Sequence, residues 1–225
     1  MARSGDDLTM TNFTRFAWVV DEAESRTDEL WDREILRTDA FVAMPSAGSL
    51  VAGWTLVVPR RPMLNLAELD EAGQTALDLM VTPIADALAG SGDSVFCFEH
   101  GAGWMGSATG CGVDQAHLHI VPLPFDLLAV VARRQDAAIT WQIPAVDRSP
   151  LAQLPSQGEY VALWSIAERR PMIGHVRRPI SQWIRRVIAD ELGIADQWDY
   201  RIHPQTEKVR QTLEMLSGLQ ATSAQ

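Results

Sequence analysis

Cysteines and basic residues are both scarce in this chain of 225 residues. Only Cys97 and Cys111 are present, so a disulfide framework is not expected. Lys and Arg number 19 against 29 Asp and Glu, which gives a net charge of −10 at pH 7. Sequence-independent binding to DNA or RNA needs clustered cations, so no nucleic-acid partner is predicted. A small anionic ligand is compatible with this charge, because distant surface charges are screened while the dipoles of a pocket act at contact distance.

Long apolar runs and targeting segments are also missing. No apolar stretch approaches the roughly 20 residues that a membrane-spanning helix needs. The start of the chain lacks the basic and then apolar pattern of a secretion signal. These absences predict a reducing, cytoplasmic location and no membrane partner. The composition, with 47% hydrophobic and 21% charged residues, is ordinary for a soluble globular protein of one or two lobes.

Hydrophobic periodicity predicts an α+β fold with an antiparallel sheet of about five strands and one long helix across it. The predicted strands are a hairpin from Ile35 to Met44, then Trp54 to Val58, Ser94 to Phe98, the stretch before Pro122, Ile139 to Ile143 and Glu159 to Ser165. The predicted helices are Leu66 to Leu88, Phe125 to Arg134, Ile180 to Leu192 and Thr206 to Leu216, with Pro83 expected to kink or divide the first.

A short stretch before Pro122 alternates polar and apolar side chains. Successive side chains of a strand point to opposite faces, so Gln115, His117 and His119 are predicted to share one face. At roughly 3.3 Å per residue, each stands about 6.5 Å from the next. Two imidazoles and an amide in such a row are wide enough to hold a phosphate chain. The structural alternative is a core strand whose histidines are satisfied by internal hydrogen bonds.

A glycine-rich segment precedes this strand. It runs from Gly101 to Gly112, and Glu99 and His100 come just before it. Glycine allows backbone N–H groups to approach a ligand or to form an anion-binding nest, and Gly110 and Gly112 are candidates for this. A flexible loop without function would have the same composition, so the position next to the histidine stretch is what favours a binding role.

Together these motifs resemble the histidine triad superfamily, whose pattern is His-x-His-x-His-x-x. Gln115-Ala-His-Leu-His-Ile-Val-Pro122 matches it with Gln115 at the first histidine. Gly53-Trp-Thr-Leu-Val-Val-Pro-Arg-Arg61 is similar to the family's Gly-His-x-Leu-Val-x-Pro-Lys-Arg segment, with Trp54 in place of histidine. The resemblance covers about residues 35–125. It is closest to a bacterial branch with Glu-His-Gly and Gly-Cys-Gly-x-Asp-His-Ala-His-Leu-His motifs and a C-terminal extension.

The resemblance implies a domain organisation and an activity. It implies a flexible N-terminus over 1–12, a catalytic domain over 13–125 and a mixed α/β C-terminal extension over 126–225 packed on that domain. The activity would be nucleotidyl hydrolysis or transfer on a phosphoanhydride or phosphoramidate, such as a dinucleoside polyphosphate, through a covalent nucleotidyl-histidine. Neither a cofactor nor a metal is implied. A small-molecule nucleotide would be the substrate, and a homodimer would be the assembly.

Residue roles follow from the same resemblance. His117 would be the nucleophile, because a neutral imidazole can attack phosphorus when its other nitrogen is held by a hydrogen bond. His119 would donate to a phosphate oxygen or protonate the leaving group, and Gln115 would orient the nucleophile. The predicted substrate-binding residues are Ser46 at the ribose position, together with Arg60, Glu99, His100, Gly110 and Gly112. Trp104 would be a base-stacking partner or a part of the core or lid.

Two other functions remain open at this point. Gln115, Ser46, Gly112 and Trp54 depart from the family pattern, and a nucleotide-binding or regulatory module with weakened catalysis would show such departures. A metal-binding protein is the second alternative, because His117 and His119 with Cys111, Glu99 or His100 have donor types that suit zinc. His175 lies outside every motif and is predicted to be structural or on the surface.

Overall fold

The computed structural model describes residues 14–21, 23–90, 92–110, 112–134, 136–144 and 148–222. The segment 1–12, predicted to be flexible, and the cysteine at position 111 lie outside them. The strands are β1 (Leu36–Arg37), β2 (Phe41–Pro45), β3 (Thr55–Pro59), β4 (Ser94–Gly101), β5 (Leu118–Leu123), β6 (Ile139–Gln142), β7 (Tyr160–Ser165) and β8 (Pro171–Val176). The helices are α1 (Ala17–Val20), α2 (Glu71–Ala89), α3 (Leu127–Arg133), α4 (Trp183–Glu191), α5 (Thr206–Met215) and α6 (Ser217–Thr222).

One antiparallel sheet of eight strands organises the fold, in the order β1-β2-β3-β5-β4-β7-β8-β6. The expectation of about five strands was wrong. Strands β1 to β5 match it, but β7 pairs with the outer edge of β4 from Phe96 to Gly101 and continues the same sheet. Strand β8 was not predicted, because Pro171 and Gly174 interrupt its apolar pattern. The boundary near residue 125 stays a prediction.

Helix α2 covers one face of the sheet. Asp70 caps its first turn by accepting a hydrogen bond from the Gly73 N–H at 2.8 Å. The helix continues through Pro83 without division, because its apolar stripe packs on the sheet along its whole length. The buried residues of this stripe are Leu77, Met80, Val81, Ile84, Ala85 and Leu88.

The opposite face of the sheet has two separate covers. Phe16, Trp18 and Val19 of the N-terminal segment pack on β2 and β3. Helices α3 and α4 pack on β4, β7 and β8 through a second group of buried side chains. Strand β5 lies between β3 and β4, so its residues on this face lie where the two covers meet. We call this line of contact the seam.

Within the described ranges, none of the helices combines the length and the apolar character needed to cross a membrane. The cytoplasmic location and the homodimer stay predictions. Strands β1 and β6 form the two edges of the described sheet, since the six strands between them are paired on both sides.

The close approach of β4 and β7 yields a stability prediction. A Cβ atom at Gly101 would lie 2.3 Å from the ring of Tyr160, its cross-strand partner. We expect Gly101→Ala to lower the free energy of unfolding by about 1–3 kcal/mol, the usual cost of overpacking a core. Urea unfolding measures this cost. Gly218→Ala in α6, where a Cβ meets no atom within 4 Å, is the control and should cost nothing. Equal stabilities of the two variants would contradict the packing described here.

Candidate active site

His117 lies immediately before β5, at the seam, and is 7% exposed. Its Nδ1 atom lies 2.9 Å from the backbone carbonyl oxygen of Gln115. A carbonyl oxygen can only accept a hydrogen bond, so Nδ1 of His117 carries the proton and donates. In the neutral ring, Nε2 then keeps a free electron pair.

The side chain of Gln115 does not stand in a row with the two histidines, as the alternation predicted. Strand β5 starts only at Leu118, and the Gln115 amide turns toward the segment that follows β3. It donates to the carbonyl oxygens of Pro59 at 2.9 Å and Arg61 at 3.0 Å. Its oxygen accepts a longer bond from the Met63 N–H at 3.4 Å. The amide therefore fixes the backbone whose carbonyl holds His117.

His119 has the opposite arrangement of its ring nitrogens. The indole Nε1–H of Trp54 donates to Nδ1 of His119 at 3.0 Å, and an indole nitrogen can only donate. The neutral ring therefore carries its proton on Nε2. That Nε2 atom is buried and has no hydrogen-bond partner among the described residues. The ring also stacks on Phe98, with centroids 4.2 Å apart and planes 6° from parallel.

A small cavity of about 40 Å³ opens in front of the two histidines, whose ring centroids are 4.9 Å apart. Typical ligand pockets measure roughly 300–1,000 Å³. The cavity accommodates a group of a few atoms, so a whole nucleotide requires the seam to open. The lining residues are Arg15, Phe16, Ser46, Ala47, Leu56, Val113, His117, His119, Arg185 and Tyr200.

Burial keeps both rings neutral. Desolvation, with smaller contributions from the charges of Arg15 and Arg185, lowers the pKa of His117 to about 4, although the Gln115 carbonyl acts in the opposite direction. Desolvation and then the neighbouring His117 and His100 hold the pKa of His119 well below its ordinary value. At neutral pH, two side chains that line one cavity therefore differ in the state of Nε2, which is unprotonated in His117 and protonated in His119.

Arg185 is a lining residue that the sequence analysis missed. It projects from α4, is 2% exposed and hydrogen-bonds to the carbonyl oxygens of Gly48 and Trp198. Its guanidinium carbon lies 4.7 Å from the centre of the Trp54 ring, and Nη1 lies 3.4 Å from the hydroxyl of Ser46. The signal that could have found it was the resemblance to a family branch with a C-terminal extension, since α4 lies in the predicted extension.

Arg15 and Phe16 bring the N-terminal segment into the site, which no motif predicted. The Phe16 ring lies 5.5 Å from the ring of His117. Nη1 of Arg15 donates to the buried carboxylate of Asp32, which also accepts from the hydroxyl of Thr27. Nη2 of Arg15 is buried and has no partner in the part of the chain that the structure describes.

His100 lies on the same face as His119, with ring centroids 6.3 Å apart, but does not line the cavity. Its Nε2 accepts a hydrogen bond from the Ile184 N–H at 3.2 Å, near the start of α4. Desolvation lowers the pKa of His100 to about 3, with additional contributions from the charges of His117 and Arg185. Its visible role is to hold α4, and with it Arg185, against the sheet.

Two further predicted substrate contacts, Glu99 and Arg60, lie away from the cavity. The carboxylate of Glu99 accepts from the Leu66 N–H and the Tyr160 hydroxyl, on the α2 face of the sheet. Its pKa is raised to about 8 by burial, against the effect of those hydrogen bonds. Arg60 lies in a separate groove beside Asp39. Successive side chains of a strand point to opposite faces, so Glu99 lies on the face of the sheet opposite to that of its neighbour His100.

The glycine-rich segment does not supply the cavity walls that were expected of Gly110 and Gly112, since Val113 is the lining residue nearest to them in sequence. Glu159, at the start of β7, holds the segment by accepting from the hydroxyls of Ser107 and Thr109. Trp104 is 53% exposed and also lies outside the lining. Ser46 is the one predicted substrate contact, besides the histidines, that the structure brings to the cavity.

Among the described residues, no three His, Cys, Asp or Glu side chains come together as metal ligands. The placement of Glu99 on the far face of the sheet removes one proposed donor. A second, Cys111, lies outside the described ranges, and the Nε2 atom of the third, His100, accepts a hydrogen bond from the Ile184 N–H. The free cysteine Cys97 is buried on the α2 face, and burial raises the pKa of its thiol.

Comparison with known proteins gives distant structural likenesses only. No family model and no curated protein matches the chain. Among solved structures, the chain is similar to a Hit-like protein involved in cell-cycle regulation from Bartonella henselae, with 21% identity over 48% of this chain and 78% of that one and a TM-score of 0.38.

Two further neighbours are a hypothetical histidine triad nucleotide-binding protein and an enzyme. The first, from Sulfolobus tokodaii, is 14% identical over 91% of this chain and 92% of that one, with a TM-score of 0.37. The second, yeast Ap4A phosphorylase in complex with AMP, is 13% identical over 66% of this chain and 63% of that one, with a TM-score of 0.35.

Burial of neutral histidines predicts a pH-dependent contribution to stability. Since the pKa of His100 is about 3 in the folded chain against an ordinary 6.5, the unfolded chain binds the extra proton between these values. The stability that His100 provides is therefore complete above about pH 6.5 and falls as the solution is acidified.

We expect the destabilisation caused by His100→Gln, measured by urea unfolding, to shrink by about 2 kcal/mol between pH 7 and pH 5. Comparing the variant with the wild type cancels Glu99, whose raised pKa acts in the opposite direction. The same destabilisation at both pH values would show that His100 is not buried as a neutral ring.

Proposed function

We propose that this chain is a nucleotidyl hydrolase or transferase of the histidine triad type, with His117 as the nucleophile. The observation that supports this most strongly is the complementary state of two adjacent imidazoles. Both residues line the same cavity, where His117 keeps a free electron pair on Nε2 and His119 carries a proton on Nε2. A phosphoryl group needs both, because the phosphorus takes the electron pair and a non-bridging oxygen accepts the hydrogen bond.

Two buried donors without acceptors support an anionic ligand. Nε2 of His119 and Nη2 of Arg15 both lack hydrogen-bond partners among the described residues, and both residues line the cavity. A buried donor without an acceptor costs about 1–3 kcal/mol. A phosphoryl group with two or three non-bridging oxygens would satisfy both donors at once. Such a ligand also suits the positive charges of Arg15 and Arg185.

The proposed reaction has two displacements. In the first, the electron pair of His117 Nε2 forms an N–P bond while the bond from phosphorus to the leaving oxygen breaks, and that oxygen keeps the bonding pair. The nucleotidyl-imidazolium is stabilised by the Gln115 carbonyl that accepts from Nδ1–H. In the second, water or another acceptor oxygen forms a bond to phosphorus, its proton is released and the N–P pair returns to Nε2.

The first test removes the nucleophile. We expect His117→Asn to lower kcat/KM on a dinucleoside polyphosphate roughly 10³-fold or more, because the covalent route is lost. Steady-state kinetics with matched circular dichroism spectra measure this effect. His175→Gln is the control, since His175 lies on β8 and bonds to Gln142, away from the cavity. Retention of activity in His117→Asn would refute the assignment.

The second test concerns the anion contact of Arg15. We expect Arg15→Met to weaken the binding of inorganic phosphate about 10-fold to 100-fold, the value of one charge-assisted hydrogen bond. Isothermal titration calorimetry measures the affinity. Arg26→Met is a matched control, because Arg26 lies 5.8 Å from the Trp18 ring in the same cover and is absent from the cavity lining.

Arg15→Met leaves the buried carboxylate of Asp32 without its cation, so the double variant with Asp32→Asn is measured in parallel. It should show the same loss of phosphate affinity with a smaller loss of stability. Equal phosphate affinities in wild type, Arg15→Met and Arg26→Met would refute the contact.

A catalytically weakened nucleotide-binding module is the second candidate function. The observation that favours it is the position of Gln115, whose amide bonds to the backbone of Pro59 and Arg61 and does not line the cavity with the two histidines. It predicts that nucleotides bind without turnover across a panel of phosphoanhydrides and phosphoramidates. Turnover that depends on His117 excludes it.

A further inference from the structure

The hydrogen bond between Trp54 and His119 restricts what His119 is able to do. The indole nitrogen of Trp54 lies 3.0 Å from His119 Nδ1, and both side chains are buried. An indole N–H has no acceptor capacity, so Nδ1 must be the acceptor. The single proton of the neutral ring is then on Nε2, a buried atom without a hydrogen-bond partner among the described residues, in a side chain that lines the cavity.

Trp54 is held firmly in this position. Its ring packs edge to face on the Phe98 ring, with centroids 5.7 Å apart. The guanidinium carbon of Arg185 lies 4.7 Å from the centre of the Trp54 ring. Phe98 in turn stacks on His119. A second proton on His119 would have to sit on Nδ1, where it would point at the Trp54 N–H. Two donors would then face each other in a buried site, so the packing disfavours the imidazolium form.

A neutral imidazole with one proton is a hydrogen-bond donor but a poor acid. Loss of its Nε2 proton would leave an imidazolate, which is far too basic at neutral pH. The other polar lining groups do not replace an imidazolium. Guanidinium groups and hydroxyls are far weaker acids than an imidazolium, and these are the groups that Arg15, Arg185, Ser46 and Tyr200 bring to the cavity. The leaving group must therefore depart without a proton from this site.

We propose that Trp54 makes the site selective for phosphoanhydrides over phosphoramidates. In a phosphoanhydride, the P–O bond breaks and the electron pair stays on a phosphate oxygen, which is stable as an anion. In a phosphoramidate, the P–N bond breaks and the nitrogen would leave as an amide anion unless a proton reaches it first. This selectivity rests on the proposed function, and Trp54 acts in it as a positioning residue through His119.

The kinetic test compares two substrates with the same nucleoside, a dinucleoside polyphosphate and a nucleoside 5′-phosphoramidate of a simple amine. Wild type is expected to prefer the anhydride at least about 100-fold in kcat/KM. Trp54→Phe keeps an aromatic ring but removes the donor. His119 Nδ1 is then free to take a proton once substrate binding has opened the seam and relieved the desolvation that keeps the buried ring neutral. We expect this variant to lower the ratio of kcat/KM on the anhydride to kcat/KM on the phosphoramidate at least about 10-fold, chiefly by raising kcat on the phosphoramidate.

Trp183→Phe is the matched control. Trp183 belongs to the same buried group as Trp54, and its indole N–H donates to Asp136 at 2.9 Å rather than to a histidine. This variant therefore loses an indole hydrogen bond and packing volume without changing His119. Its substrate preference should equal that of wild type.

Nitrogen-15 NMR of the histidine rings gives a readout that is independent of turnover. The expected result is an Nε2-protonated His119 in wild type and Trp183→Phe, and loss of that fixed tautomer in Trp54→Phe. An Nδ1-protonated His119 in wild type, or an unchanged preference in Trp54→Phe, would overturn the proposal. If wild type turns over both substrates equally, the proposed selectivity alone is wrong. If wild type turns over neither substrate, the proposed function is wrong as well.

Discussion

The hydrogen bond from His117 Nδ1–H to the backbone carbonyl of Gln115 is the interaction on which the candidate site depends. It determines which nitrogen of the buried ring keeps the free electron pair. The carbonyl is itself held in place, because the Gln115 amide bonds to the backbone of the segment after β3. Gln115, at the first histidine position of the pattern that the sequence resembles, thus supports the proposed nucleophile through its backbone.

The rest of the fold places this ring where three parts of the chain meet. The sheet supplies the two histidines, the N-terminal segment supplies Arg15 and Phe16, and α4 of the C-terminal half supplies Arg185. Because β7 and β8 extend the sheet beyond β4, α4 packs on the sheet surface and its arginine reaches the seam. The same burial that lowers the pKa of His117 also closes the cavity. Opening of the seam is therefore the conformational step that substrate binding demands.

Local pattern predicted much of the fold and the centre of the site. Alternation predicted that His117 and His119 share one face, which in the structure is the face opposite α2, and the helical periodicity was correct from Glu71 through Pro83 to Leu88. The wrong or missing predictions concern strand pairing and the side chains that reach the site from distant parts of the chain. The pairing of β7 with β4 depends on an open sheet edge, which local periodicity does not report. Arg185 and Arg15 reach the site from residues far from the histidines, so no spacing rule links them. Glu99 was predicted to contact the substrate, but strand alternation directs its side chain to the α2 face of the sheet.

The most direct test of the nucleophile is to trap the intermediate. Wild-type protein mixed with a dinucleoside polyphosphate and quenched in alkali, which preserves a histidine–phosphorus bond, is digested and analysed by mass spectrometry. The account predicts one nucleotidyl group on the peptide that contains His117, formed and lost at rates compatible with turnover. Turnover without any such adduct, or an adduct on a different residue, would contradict it.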